Sequence, residues 1–112
     1  MFICEAGDVA IVPFPFTDMA VAKPRPALAL SSQKANGESG NTIFAMITTA
    51  AKSHWPTDVP LADADRAGLT AASLVRLKLF TLDNRLLARK IGALSLRDRA
   101  AMRKVLRAVV GV

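Results

Sequence analysis

A chain of 112 residues, 52% hydrophobic and carrying a net charge of +6, suits one domain with a small core. No apolar run approaches the roughly 18 residues of a membrane span, and Met1-Phe2-Ile3-Cys4-Glu5 lacks the basic flank and long apolar stretch of a secretory signal, so the cytoplasm is the expected compartment. Cys4, the only cysteine, excludes an internal disulfide and a cysteine-paired metal site; it reads as a small buried hydrophobe.

The charge is unevenly placed. Residues 1–75 hold five basic and seven acidic side chains, whereas residues 76–112 hold ten basic ones against Asp83 and Asp98. A basic C-terminal third fits a nucleic-acid footprint or a dock for an acidic partner chain, and equally a well-solvated helix face.

In chain order, Gly7 to Val12 is β-branched and apolar and is expected as the first strand. Pro13-Phe14-Pro15-Phe16 lacks two donors, so it reads as an edge or exit with its phenylalanines packed. Thr17 to Ala22 is then a loop. Lys23-Pro24-Arg25-Pro26 follows, and each proline pushes the residue before it towards extended backbone. Arg25 is thus presented by a stiff backbone at the mouth of a short strand, Ala27 to Leu30. A guanidinium held so can grip phosphate or carboxylate with a planar fork of donors. The plainer alternative is a surface arginine tied to a nearby acid such as Asp18.

Ser31 to Asn41, with Asn36-Gly37 and Ser39-Gly40, reads as a flexible polar connection. Thr42 to Ile47 is the next strand, running into Thr48-Thr49, and Ala50 to Thr57 is a loop with the sole histidine, His54, and the sole tryptophan, Trp55. Asp58 to Leu61 is a candidate edge strand, and the chain turns again at Gly68. From Leu74 the pattern alternates: Val75, Leu77 and Leu79 on one face, Arg76 and Lys78 together on the outer one. Thr81 to Asn84 is expected to turn the chain and Arg89 to Leu94 to form a last strand. Ser95, with Asp98 three residues on, resembles a capping box opening the final helix. In that helix Met102, Val105, Leu106, Val109 and Val110 form one apolar stripe, and Arg99, Arg103 and Arg107 line another face. The expectation is a single domain over residues 1–112, mainly β: a small barrel over about 5–94 with a helix over about 96–110.

The chain has no Gly-rich phosphate loop, no HExxH and no Ser-His-Asp set. No metal ligand set and no cofactor is expected. His54 has no sequence neighbour to pair with and reads as a loop histidine.

Several motifs in a fixed order carry a resemblance. Gly7-Asp8-Val9, Val12-Pro13-Phe14-Pro15-Phe16-Thr17-Asp18 and Lys23-Pro24-Arg25-Pro26-Ala27-Leu28 resemble the opening of the MazF/PemK family of toxin endoribonucleases. Ala45 to Thr49, Asp58 to Leu61, Gly68-Leu69, Val75-Arg76-Leu77 and Arg89 to Ser95 follow in the family's order. The resemblance implies an SH3-like barrel with a C-terminal helix, a homodimer, and metal-independent, sequence-selective cleavage of single-stranded RNA, including mRNA. It implies a partner too: a cognate antitoxin whose acidic, disordered tail lies over the RNA groove. The family's essential arginine falls on Arg25 and its essential threonine on Thr48, with Thr49 the neighbour that a one-residue slip would select. Thr17, Lys23, Thr49, Arg76 and Lys78 are the expected RNA contacts, with Phe16 or Trp55 available to stack on a base. Lys78 stands where the PemK branch has an aspartate, and the Thr17 to Ala22 loop lacks a histidine, so no general base is assigned. The alternative reading is a gyrase-poisoning toxin of the same fold, or a member that binds RNA or antitoxin without cutting.

Overall fold

The computed structural model describes residues 2–15, 23–49 and 54–112. The expected loop residues Phe16, Thr17 and Asp18 lie outside them. The strands are β1 (Asp8–Pro13), β2 (Pro24–Ala29), β3 (Asn41–Thr49), β4 (Val59–Pro60), β5 (Ser73–Asp83) and β6 (Arg89–Ala93), and the helices are α1 (Gln33–Ser39) and α2 (Leu96–Val109). All six strands form one antiparallel sheet in the order β4-β5-β3-β2-β1-β6, curled into a half-barrel. As expected, the protein is mainly β with a C-terminal helix.

Curling a sheet of short strands leaves two edges, β4 and β6, to be covered. Residues 61–69 run between them: the Leu61 amide donates to Ser73 on β5 (3.0 Å), and the Ala93 amide on β6 donates to the Arg66 carbonyl (3.2 Å). Gly68 is required here. Its φ is +78°, and a Cβ would run into the Ile91 carbonyl.

Each sheet face buries its own apolar cluster. One face carries Val9, Leu28, Ala45, Ile47 and Val75 beneath Met102 of α2, with Val105 and Leu106 packed on its rim. The expected stripe on α2 therefore seals the core over its first three members, whereas Val109 and Val110 remain exposed. The other face carries Ala10, Val12, Phe14, Ala27, Ala29, Phe44 and Phe80. Phe80 meets Phe14 edge-on and stacks on Phe44, at centroid distances of 5.6 and 5.7 Å. Cys4 is buried in the same cluster, and burial, followed by the nearby Asp8 charge, pushes its thiol up to about 11. It is an unreactive packing group, as expected.

Four expectations need correction. Ser31 to Asn41 is not a flexible connection, because α1 occupies most of it. The Ser32 hydroxyl caps its start, accepting from the Ala35 amide, and Gly40 ends it in the left-handed conformation (φ 74°). Asn36, read as part of that flexible connection, is fully buried. Its amide donates to the carbonyls of Cys4 (2.9 Å) and Ser31 (3.1 Å), and its own carbonyl accepts from the Asn84 amide (2.9 Å).

The second correction concerns β5, which does not turn at Thr81 but continues to Asp83, pairing with β3 throughout; the turn is the short 3-10 segment Asn84–Leu86. Third, the register of that pairing with β3 is interrupted. Ala45 pairs with Leu79, but Met46 pairs with Arg76, so β5 carries two extra residues, Leu77 and Lys78, in a bulge. The two extra residues leave the expected faces unchanged, with Val75 and Leu79 on one and Arg76 on the other, but Leu79 is 42% exposed and Arg76 is buried. Arg76 and Lys78 do not form an outer cationic pair.

Fourth, Asp98 completes no capping box. Ser95 does cap α2, accepting from the Asp98 amide (3.3 Å), but the buried Asp98 carboxylate accepts from the amides of Ala62 and Asp63, both at 2.9 Å. It anchors the segment between the sheet edges.

Candidate active site

β1 and β2 pair antiparallel with Val12 opposite Arg25 and Ala10 opposite Ala27, and β2 meets β3 with Ala27 opposite Met46. Residues directly opposite each other share a face, and every second residue along a strand returns to it. Arg25, Ala27, Met46 and Thr48 therefore share the face of the phenylalanine cluster. Carrying the β2–β3 register two residues further sets Arg25 level with Thr48. The Phe14 amide donates to the Lys23 carbonyl (3.1 Å), continuing the β1–β2 pairing into the mouth where Arg25 begins.

At this mouth the strands leave a cleft of about 330 Å³ lined by Phe14, Arg25, Met46, Thr48, Thr49 and Ser73. Phe14 and Met46 supply an apolar floor, the threonines and serine supply hydroxyls, and Arg25 is the single cation in the lining among the described residues. Arg25 is exposed and makes no ion pair or hydrogen bond among the described residues, whereas Thr48 is half-buried. A guanidinium without an acidic partner keeps its donors available to an anion. The structure thus brings Arg25, Thr48 and Thr49 together. Lys23 and Lys78 are exposed but do not line the cleft, and Thr17 lies outside the described residues.

Arg76 is placed differently from the expectation. It lies on the same face, opposite Met46, yet its side chain is only 9% exposed. Asp58, itself 2% exposed, receives it in a two-pronged bond, Nε to Oδ1 at 3.0 Å and Nη2 to Oδ2 at 2.8 Å. The Asp58 Oδ2 also accepts from the Trp55 amide (2.9 Å), and the Asp58 amide donates to the Trp55 carbonyl (3.0 Å). Trp55 in turn lays its ring over the guanidinium, 5.1 Å from carbon to centroid. The Arg76 hydrogen bond holds the Asp58 carboxyl below its ordinary 3.8, and the same bond raises Arg76. Asp58 was legible only as part of a strand segment, because its partner is 18 residues distant in the chain.

Among the described residues no group of three or more His, Cys, Asp or Glu side chains is disposed to hold a metal ion, and no helix is long and apolar enough to cross a membrane. His54 is exposed. Among the described residues the cleft lining includes no carboxylate and no imidazole.

Comparison with known proteins bears on the family and the fold. A family model, PemK-like, MazF-like toxin of type II toxin-antitoxin system, matches residues 5–110. MazF from Deinococcus radiodurans is 26% identical, with 100% of each chain covered and a TM-score of 0.76. Mycobacterium tuberculosis toxin MazF-mt6 is 25% identical, covering 94% of this chain and 97% of its own, at a TM-score of 0.73. An endoribonuclease in complex with its cognate antitoxin, from a mycobacterial species, shares the fold at 18% identity and a TM-score of 0.77, with 100% of this chain and 97% of its own covered. No curated protein sequence matches the chain. With the family pattern spanning nearly all its length, the chain belongs to the PemK-like, MazF-like toxins of type II toxin–antitoxin systems.

Proposed function

We propose that this toxin is an endoribonuclease that cuts single-stranded RNA, mRNA included, within short preferred sequences and without a metal ion. The observation that carries the reading is the shared cleft of Arg25 and Thr48, with the guanidinium free of any acidic partner among the described residues. RNA brings its own nucleophile. The 2′-oxygen attacks the adjacent phosphorus, the bond from phosphorus to the 5′-oxygen breaks, and the products carry a 2′,3′-cyclic phosphate and a 5′-hydroxyl. Alignment and stabilisation of the extra negative charge on phosphorus are what the protein must add.

Arg25 clamps the phosphorane through two donors, and the Thr48 hydroxyl gives a third hydrogen bond. Arginine does not serve as the base, since its pKa exceeds about 12. The 2′-OH proton passes to water, and the departing 5′-oxygen takes a proton in return. Lys23, Thr49 and Lys78 meet flanking phosphates.

The partner is a cognate antitoxin whose acidic, disordered tail covers this groove, drawn by the toxin's net charge of +6. The toxin works in the cytoplasm, where mRNA is found, and as a homodimer. Exposed Ile43 and Leu79, neighbours on one sheet face, and Val109 and Val110 at the end of α2 supply apolar surface for a second copy.

The test is incubation of the purified chain with single-stranded RNA in excess EDTA. Cleavage there is expected. A strict requirement for Mg²⁺ overturns the metal-free reading, and inhibition of DNA supercoiling with no RNA cut replaces the nuclease by a gyrase poison.

A further inference from the structure

We propose that Trp55 is a base-stacking platform of the RNA site and that Asp58 is its positioning residue, acting through Arg76. The inference rests on the nuclease reading and extends the site beyond the cleft. Trp55 is 39% exposed, an unusual setting for a large aromatic ring in a loop, yet its other side is not loose. The Arg76 guanidinium lies 5.1 Å from the ring centroid, and the Asp58 carboxylate binds both that guanidinium and the Trp55 amide. One buried carboxylate therefore fixes backbone and ring support together. The ring has a cation over it and the residue keeps 39% of its surface exposed.

Register places this platform beside the chemistry. Arg76 is opposite Met46, and Thr48 is two residues further along the same face of β3, about 7 Å away at strand spacing. A phosphate held between Arg25 and Thr48 thus has a neighbouring nucleobase within reach of the indole. Stacking suits any base, and a base flanking the cut is the chemical group the ring would take. The cation behind the ring limits its freedom before RNA arrives, so less ordering remains to be done on binding.

The sole tryptophan makes the test direct. The probe is a labelled single-stranded RNA spanning a mapped cut, carrying 2′-deoxyribose there so that it binds without being cleaved. A random-sequence single-stranded pool replaces it if no cut is found. Binding is read by the label and stacking by quenching of tryptophan emission. Quenching on binding is expected, and it should vanish when one base beside the cut is made abasic. On cleavable RNA the abasic change should cost wild type about 5- to 150-fold in kcat/KM, and cost Trp55→Ala almost nothing further. Trp55→Phe should retain part of that coupling. Asp58→Asn should fold with Trp55 less constrained, giving weaker quenching and a smaller abasic penalty.

Binding without quenching, or an abasic penalty equal in wild type and Trp55→Ala at every position, overturns the platform and leaves the nuclease standing. Quenching without cleavage keeps the platform and removes the nuclease. Absence of RNA binding removes both.

Discussion

Two arginines on one face of the sheet have opposite surroundings. Arg25 stands at the mouth of β2, exposed, with no acidic partner among the described residues. Arg76 stands across β3, its side chain 9% exposed and held by both oxygens of Asp58 beneath an indole ring. The same chemical group thus has two uses. Prolines on either side of Arg25 fix its backbone without occupying its guanidinium, which leaves the donors for substrate. Arg76 instead meets the Asp58 carboxylate, where its donors are used in holding the protein. The difference argues that an arginine's function is set by what its donors already touch.

The largest expected effect separates the two by what each loses. Arg25→Ala should cost about 3–4 kcal/mol of transition-state stabilisation, roughly two to three decades in cleavage rate, on the scale of a lost oxyanion donor. Its thermal unfolding should match wild type within about 0.5 kcal/mol, as for an ordinary surface site. Arg25→Lys should recover only part of the rate, because an ammonium keeps the charge and loses the fork. Wild-type cleavage by Arg25→Ala would make it a plain surface residue and erase the contrast.

Thr48→Val keeps the shape of the side chain and removes one hydrogen bond to a charged group. A loss of about 1.5–3 kcal/mol, or roughly one to two decades in single-turnover rate, is expected, with the fold retained. An undiminished rate would leave Arg25 acting alone.

At Arg76 the order of effects reverses. Arg76→Ala leaves a buried carboxylate without its partner, so the melting temperature should fall by several degrees. Its pH dependence sharpens the point. The folded-state pKa of Asp58 lies below its ordinary 3.8, so the stability this pair contributes is complete above that value and is lost as pH falls further. The melting-temperature gap between wild type and Asp58→Asn should be constant near neutrality and close below about 3.8. A gap that persists undiminished into stronger acid would mean that Asp58 supports the fold by packing and not by charge.

The smallest effect concerns Lys78, exposed on the bulge. RNA affinity should fall steeply with salt, and Lys78→Ala should shallow the log–log slope by roughly 0.7, one phosphate contact on a single strand. An unchanged slope would direct Lys78 away from the RNA.

Part of the cleft was legible before the fold, with Thr48 singled out only by the family resemblance. The proline frame around Arg25 and the strand running into Thr48-Thr49 are local features, and their meeting follows from ordinary antiparallel register. The mainly β sheet and the final helix also follow from local pattern and the Ser95 cap. What remained hidden depends on distant partners. Asn36 reads as part of a flexible connection because its partners, the Cys4 carbonyl and the Asn84 amide, are 32 and 48 residues away. Alternation through Val75, Leu77 and Leu79 looks like one regular strand face, since a two-residue bulge has no marker in an unbroken apolar–polar pattern. Arg76 is an inner cation because Asp58 receives it, and no composition count could have paired the two.

The most direct measurement addresses who supplies the nucleophile. In excess EDTA, an RNA with a single 2′-deoxyribose at the mapped cut should resist cleavage at that bond, while its all-ribose twin is cut to a 2′,3′-cyclic phosphate and a 5′-hydroxyl. Cleavage of the deoxy-substituted bond, or products ending in 5′-phosphate, would show that water or another group attacks, and would contradict the account of Arg25 and Thr48 as stabilisers of the RNA's own reaction.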